Sequence, residues 1–255
     1  MGKHLHWSFD YQAHQLPGVD FAAKIYECIE RAPSKSDSRK YAILPNYWFN
    51  HQGPSILSTD DLVIGELEIS SKRSAEGNWQ YDVRQEDTSS GECLKLQFEC
   101  RDDLYRSLKG GFEINASVDA NSSYSSYHCK GQLIPKTDTT EVRLQHSSGL
   151  SFSAGQAPSA EPILCEYSLF DTLPSLAAGA GGGQSVAILE RLERLYTGHR
   201  TGHLQNDVLI PSLRELPVRG YYLRGTGTVP SYWWVDEHGR VVIMTTTLFT
   251  YVLRN

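Results

Sequence analysis

The dominant hydrophobic period of the chain is two. Leu5, Trp7, Phe9 and Tyr11 alternate with polar neighbours, as the two faces of a half-buried strand require. The alternation returns over residues 61–70 and 79–84, either side of a turn-rich stretch, and again through Leu94, Leu96 and Phe98. Phe112, Ile114, Ala116 and Val118 give a further strand, and residues 127–133 and 142–144 continue the series. Residues 186–195 read as a strand or a short helix, and 208–210, 220–225 and 232–235 as strands. A turn over 236–239 leads into residues 240–253, a long Val-, Ile- and Thr-rich strand that closes the sheet. Strand-like runs joined by short polar turns predict a mainly β protein. The expected architecture is an antiparallel meander forming a curved sheet, half-barrel or barrel, with one or two short helices. It is read as one domain over residues 1–255.

One segment departs from this period. Tyr167, Phe170 and Leu173 lie three apart, with Leu169 beside them. That spacing predicts a short amphipathic helix over 164–173, stopped near Pro174. The glycine-rich stretch 177–184 reads as a flexible loop, because no Gly-Lys-Ser/Thr ends it as a phosphate loop demands.

Aromatic residues carry the strongest functional signal. Trp7, Tyr47, Trp48, Trp79, Tyr232, Trp233 and Trp234 all fall on expected strands or their ends. Adjacent Trp233 and Trp234 must point to opposite faces of a sheet. A sheet with large apolar groups on both faces needs a cover. The cover is either the chain's own helix and loops or a ligand in an apolar cavity. In the second case Trp48, Trp233 and Trp234 are the walls, and Arg224 is an anchor for a ligand carboxylate.

Composition narrows the classes. Hydrophobic residues make up 40% and charged residues 21% of the 255, enough for a sizeable core. The net charge of -6 argues against a nucleic-acid surface. No apolar run approaches the roughly 20 residues of a membrane-spanning helix. The N-terminus has no apolar signal-peptide core, which leaves a cytoplasmic location or export with a leader removed. His6 stands where a myristoylation motif wants Ser or Thr. Cys28, Cys93, Cys100, Cys129 and Cys165 are odd in number and hold no C-x-x-C. They read as reduced buried thiols, with one or two disulfides if the protein is exported.

Catalytic and metal signals are sparse. His199, His203 and Asp207 share one face if helical, but Gly198 and Gly202 weaken a helix there and no Glu follows His199. No metal or cofactor is assigned. Neighbouring acids such as Asp102-Asp103 and Asp236-Glu237 read as solvated turns, and the basic stretch from Arg191 to His203 as a solvated face. There is no G-x-S-x-G elbow and no catalytic-cysteine context around Cys165.

The succession of 220–225, a strand, then 229–235, an aromatic strand after Pro230, then a turn at Gly239, resembles the LolA/LppX type of lipoprotein carrier. The resemblance implies a strongly bent antiparallel sheet wrapped around helices and an apolar cavity. It carries over no functional residue. The leading expectation is therefore non-catalytic binding of an apolar or amphipathic small molecule or lipid in a β-lined cavity. The expected partner is that ligand, with no nucleic acid and no transmembrane segment; the oligomeric state stays open. One alternative is a barrel-type enzyme (an isomerase, cyclase or hydrolase) with His128 or His238 as the group to inspect. Another is a structural or envelope interaction protein whose exposed aromatics meet another chain.

Overall fold

A computed structural model describes residues 38–46, 63–88, 91–118, 126–178, 185–204 and 217–254. The described residues form one sheet of fifteen strands. The first eight are β1 (Ser38–Pro45), β2 (Gly65–Arg73), β3 (Trp79–Asp87), β4 (Glu92–Cys100), β5 (Leu108–Val118), β6 (Ser126–Pro135), β7 (Thr139–His146) and β8 (Ser151–Pro158). Next come the short β9 (Ile163–Cys165), a single 3-10 turn (Glu166–Ser168) and the helix α1 (Leu169–Ala178). The chain ends with β10 (Val186–Glu190), β11 (Arg194–His203), β12 (Val218–Arg224), β13 (Ser231–Asp236), β14 (Val241–Thr245) and β15 (Phe249–Leu253). The expected mainly β, antiparallel architecture is what the molecule shows, with the sheet nearly closed into a barrel.

Strand β1 lies in the middle of the sheet, hydrogen-bonded to β2 on one side and β15 on the other. One wing runs from β2 to β8 and the other from β15 back to β9. The period-two signal sets the inward face. Tyr81, Phe98 and Phe112 stand opposite one another across β3, β4 and β5, as do Val83, Leu96 and Ile114. All six are buried, while Asp82, Arg84, Lys95 and Gln97 on the other face are exposed. Stacked rings such as Tyr81 and Phe98, 4.8 Å apart, add packing beyond their buried area.

The wings meet where β8 packs on β11. A side chain at Gly155 would come within 2.9 Å of Leu195 Cβ, so glycine permits the approach. The sheet continues past this seam. β10 and β9 turn inward, and β9 reaches β5 on the opposite wall. Both strands are buried on both faces, from Ile163 to Cys165 and from Val186 to Leu189. They pair in parallel and are joined through α1, the arrangement in which strands read as unbroken hydrophobic runs.

Helix α1 fills the middle. Its Phe170 ring lies 4.8 Å from Tyr41, 5.0 Å from Trp233 and 6.3 Å from Tyr251. One residue on, Asp171 pairs with Arg39 of β1, and with Arg106 of the β4–β5 loop at 2.6 Å. It also accepts from the Tyr81 hydroxyl at 2.7 Å. The helix does not stop near Pro174 as expected but runs to Ala178. Proline has no N–H to give the carbonyl four residues back. That carbonyl, Phe170 O, instead accepts from Arg39 Nη1 at 3.1 Å.

Two further boundaries differ from expectation. Residues 240–253 are two strands, because the Thr246 hydroxyl accepts from the N–H groups of Leu248 and Phe249 and closes a turn. Residues 186–195 divide between β10 and β11 at Arg191-Leu192. The expected strands at the N-terminus and at 208–210 lie outside the described residues.

Removing the Asp171 carboxylate leaves two poorly exposed guanidiniums without their shared partner. Asp171→Ala is expected to cost about 3–5 kcal/mol, the range for breaking a buried ion pair from one side. Equilibrium urea unfolding measures it. A loss below about 1 kcal/mol would show that packing alone seats the helix.

Candidate functional site: the polar mouth around Glu166

Between Ile163 and Phe170 the sequence places one charged residue, Glu166, in a run that is otherwise apolar except for Ser168. The buried strand β9 carries it into the barrel, and the 3-10 turn presents its carboxyl to the hairpin joining β10 and β11. Arg191 and Leu192, the central residues of that hairpin, have φ of 49° and 58°. This left-handed turn suits strand twist but is usually made by Asn and Gly. Glu166 Oε1 accepts the Arg191 N–H at 2.6 Å and holds the turn in place. Leu192 is fully buried beneath it.

Around this contact lie more polar groups. The Arg191 guanidinium pairs with Glu92 at the start of β4. The Tyr167 hydroxyl donates to Gln85 Oε1 at 3.0 Å. Tyr251 of β15 is close enough that Glu166 and Arg191 both act on its hydroxyl. Gln85, Glu92, Glu166, Arg191 and Tyr251 each keep partial solvent exposure while protein surrounds them. They are enclosed by protein without being sealed from solvent.

The electrostatics follow from that enclosure. Burial pushes the Glu166 carboxyl up to about 7, helped by nearby Glu190 and opposed by the Arg191 N–H. Burial likewise raises Glu193, with Glu92 adding to it. The Tyr251 phenol is pushed up by burial and then by Glu166. Near neutral pH the Glu166 carboxyl is thus available both as a hydrogen-bond acceptor and, protonated, as a donor.

The residues expected from the sequence are dispersed. Trp233 pairs with Tyr221 and Met244 on the inner face and packs on Phe170. Trp234 pairs with Gly220 and Ile243 and faces the other way, as two neighbours on a strand must. Its buried indole Nε1 has no hydrogen-bond partner among the described residues. Arg224 shares the outer face with Trp234, exposed and opposite Arg200. It lies four residues along β12 from Gly220, the residue opposite Trp234. The described members of the expected set therefore do not line one pocket, and Trp48 lies outside the described residues.

The histidines are also separated from the mouth. His128 is on the outer face of β6, beside Asn115. His238 sits in the β13–β14 turn near Glu237. His199 and His203 lie on strand β11 rather than a helix. Four residues of strand separate them by roughly 13 Å, too far to share an ion, and Asp207 is outside the described residues. His199 is buried, which lowers its proton affinity, and its Nδ1 makes no hydrogen bond within normal geometry among the described residues. Cys93, Cys100, Cys129 and Cys165 are free thiols.

No family model and no curated protein matches the chain. Two solved structures are similar in fold. One is a beta-barrel-like protein of the domain of unknown function DUF1849 from Brucella abortus, with TM-score 0.47, 9% identity, and coverage of 85% of this chain and 94% of that one. The other is a DUF1089 family protein from Pseudomonas aeruginosa, with TM-score 0.36, 14% identity, and coverage of 69% and 87%.

A pH dependence follows from Glu166. The folded state holds this proton more tightly than the unfolded chain, where the ordinary value is 4.5. Its stabilising contribution is complete below that value and is lost as pH rises through about 7. Glu166→Gln keeps an acceptor for the Arg191 N–H and removes the titration. Thermal melts should show the variant gaining on the parent steadily from about pH 5 to pH 8. Parallel pH curves for the two proteins would contradict the enclosure of Glu166.

Proposed function

We propose that the protein binds an amphipathic small molecule or lipid at this mouth without converting it. The observation that carries the reading is a partly exposed, protein-enclosed carboxyl set beside aromatic walls. Ligand sites pair a few placed polar groups with apolar lining in this way. Glu166 would take a hydrogen-bonding or cationic head group. Tyr251 and Phe249 share a face of β15 and are only partly covered, so they offer the wall for the apolar part. The anchor is then an acid, where the sequence suggested Arg224. Trp233 belongs to such a site only through Phe170, which stands between them. Trp234 and Arg224 face away from the mouth and would serve an outward-facing ligand, with Trp48 as a further candidate. The lipoprotein-carrier resemblance supports the reading in one respect, a bent antiparallel sheet wrapped around a helix.

A second reading has one observation in its favour. A carboxyl poised near 7 beside Tyr251 can take and return a proton, as a barrel-type isomerase, cyclase or hydrolase requires. The third expectation, a structural or interaction protein, draws nothing from the mouth.

Native mass spectrometry of detergent-free protein, followed by denaturing extraction, separates these readings. The binding reading expects a reproducible adduct, recovered chemically unchanged after incubation. It also expects affinity for the extracted compound to fall about tenfold or more in Glu166→Ala. Binding indifferent to Glu166→Ala and Tyr251→Ala would overturn the placement at the mouth. A compound altered on incubation, but not by Glu166→Gln, would favour the enzyme.

A further inference from the structure

Strand β8 ends the sheet order, and among the described strands none is hydrogen-bonded to its far edge. Its second half, around Gly155, is packed against Leu195 of β11. No described strand covers its first half. Ser151, Phe152 and Ser153 are exposed, Phe152 at 49%, and Leu150 just before the strand at 70%. Phe152 stands opposite Leu144, a fully buried inward residue of β7. It therefore faces inward in register yet meets solvent, because the seam is open at this end.

Edge strands are commonly protected by charge, especially lysine, or by an early proline. Here the protection is missing. From Ser147 to Ala160 the chain carries no charged residue, and the first proline of β8 is its last residue, Pro158.

We infer that the Leu150–Ala154 edge of β8 pairs antiparallel with the same edge of a second copy of this chain. The sequence Leu150-Ser151-Phe152-Ser153-Ala154 reads apolar, serine, phenylalanine, serine, apolar in either direction. A twofold axis at Phe152 sets it beside the partner's Phe152, sets Leu150 opposite the partner's Ala154, and matches serine with serine. Apolar side chains then share one face and hydroxyls the other, the match that stabilises cross-strand pairs. The strip carries no charge, so pairing through it sets no like charges side by side although each chain carries a net -6.

Sedimentation velocity across about two decades of protein concentration tests the pairing by mass action. The parent is expected to move from monomer to dimer. Phe152→Glu and Leu150→Lys should each raise the dissociation constant at least about tenfold. Circular dichroism confirms the fold of each variant, and Leu150→Lys decides the matter if Phe152→Glu does not fold. A parent that stays monomeric throughout would overturn the inference. So would a dimer that both substitutions leave intact, since its interface must then lie elsewhere.

Discussion

The arrangement depends on one carboxylate held by two arginines. Asp171 sits on a helix inside the barrel, and its partners come from β1 and from the loop between β4 and β5. Desolvating three charges is expensive, and their mutual attraction offsets that only when geometry and extra hydrogen bonds are good. Both conditions are met. Arg39 also satisfies the Phe170 carbonyl that Pro174 leaves free, and Arg106 also reaches the Tyr81 hydroxyl. The phenols of Tyr41 and Tyr81 are pushed up by the same burial, with the Asp171 charge adding to it, so both stay neutral donors. A helix with a proline in its interior is thereby fixed in one place. Its Phe170 then becomes the ring on which Tyr41, Trp233 and Tyr251 converge.

That seating decides where the proposed ligand would sit. The interior is occupied by α1, β9 and β10, so the tryptophan on the inner face packs against the chain itself. Partial exposure remains between the 3-10 turn and the β10–β11 hairpin, at Glu166 and Arg191. Two acids at the N-terminal end of α1, one in its first turn and one in the 3-10 turn before it, have different electrostatic surroundings. Asp171 is balanced by two cations. Glu166 has a single close arginine, whose guanidinium is committed to Glu92. A carboxyl held by the Arg191 N–H and a Tyr167 hydrogen bond, rather than by a guanidinium, is the group that the proposed ligand's donor would stabilise.

Much of the sheet was legible because burial on one face imposes alternation. Leu94, Leu96 and Phe98 announce β4, and the opposed faces of Trp233 and Trp234 follow from strand geometry alone. Other elements carried no such mark. Strand β8, Ser-Phe-Ser-Ala-Gly-Gln-Ala-Pro, is mostly exposed and so lacks a regular apolar period. The split of 240–253 was hidden because threonine favours both strands and hydroxyl-capped turns. The run of α1 through Pro174 depends on Arg39, more than 130 residues away. Glu166 was visible as an acid in a mostly apolar run, but an acid's environment is a tertiary property. Arg224 and the tryptophans suggested a site because large side chains attract attention in sequence, yet strand register sets them on different faces.

The inward turn of β9 and β10 also explains why the barrel does not close. A closed barrel removes both sheet edges by joining its first and last strands. Here the last strand of the order, β9, lies inside the barrel against β5 and so does not meet β8. β8 instead packs on β11 near Leu195, at the place where Gly155 allows the approach. The extra residue in β8 near Gly155, marked by the shift in register against β7, bends the strand towards that contact. Beyond the bend, from Ser153 back to Leu150, nothing draws the strand inward. Filling the barrel with its own sheet end and leaving one edge strand uncovered are thus two results of a single topological choice.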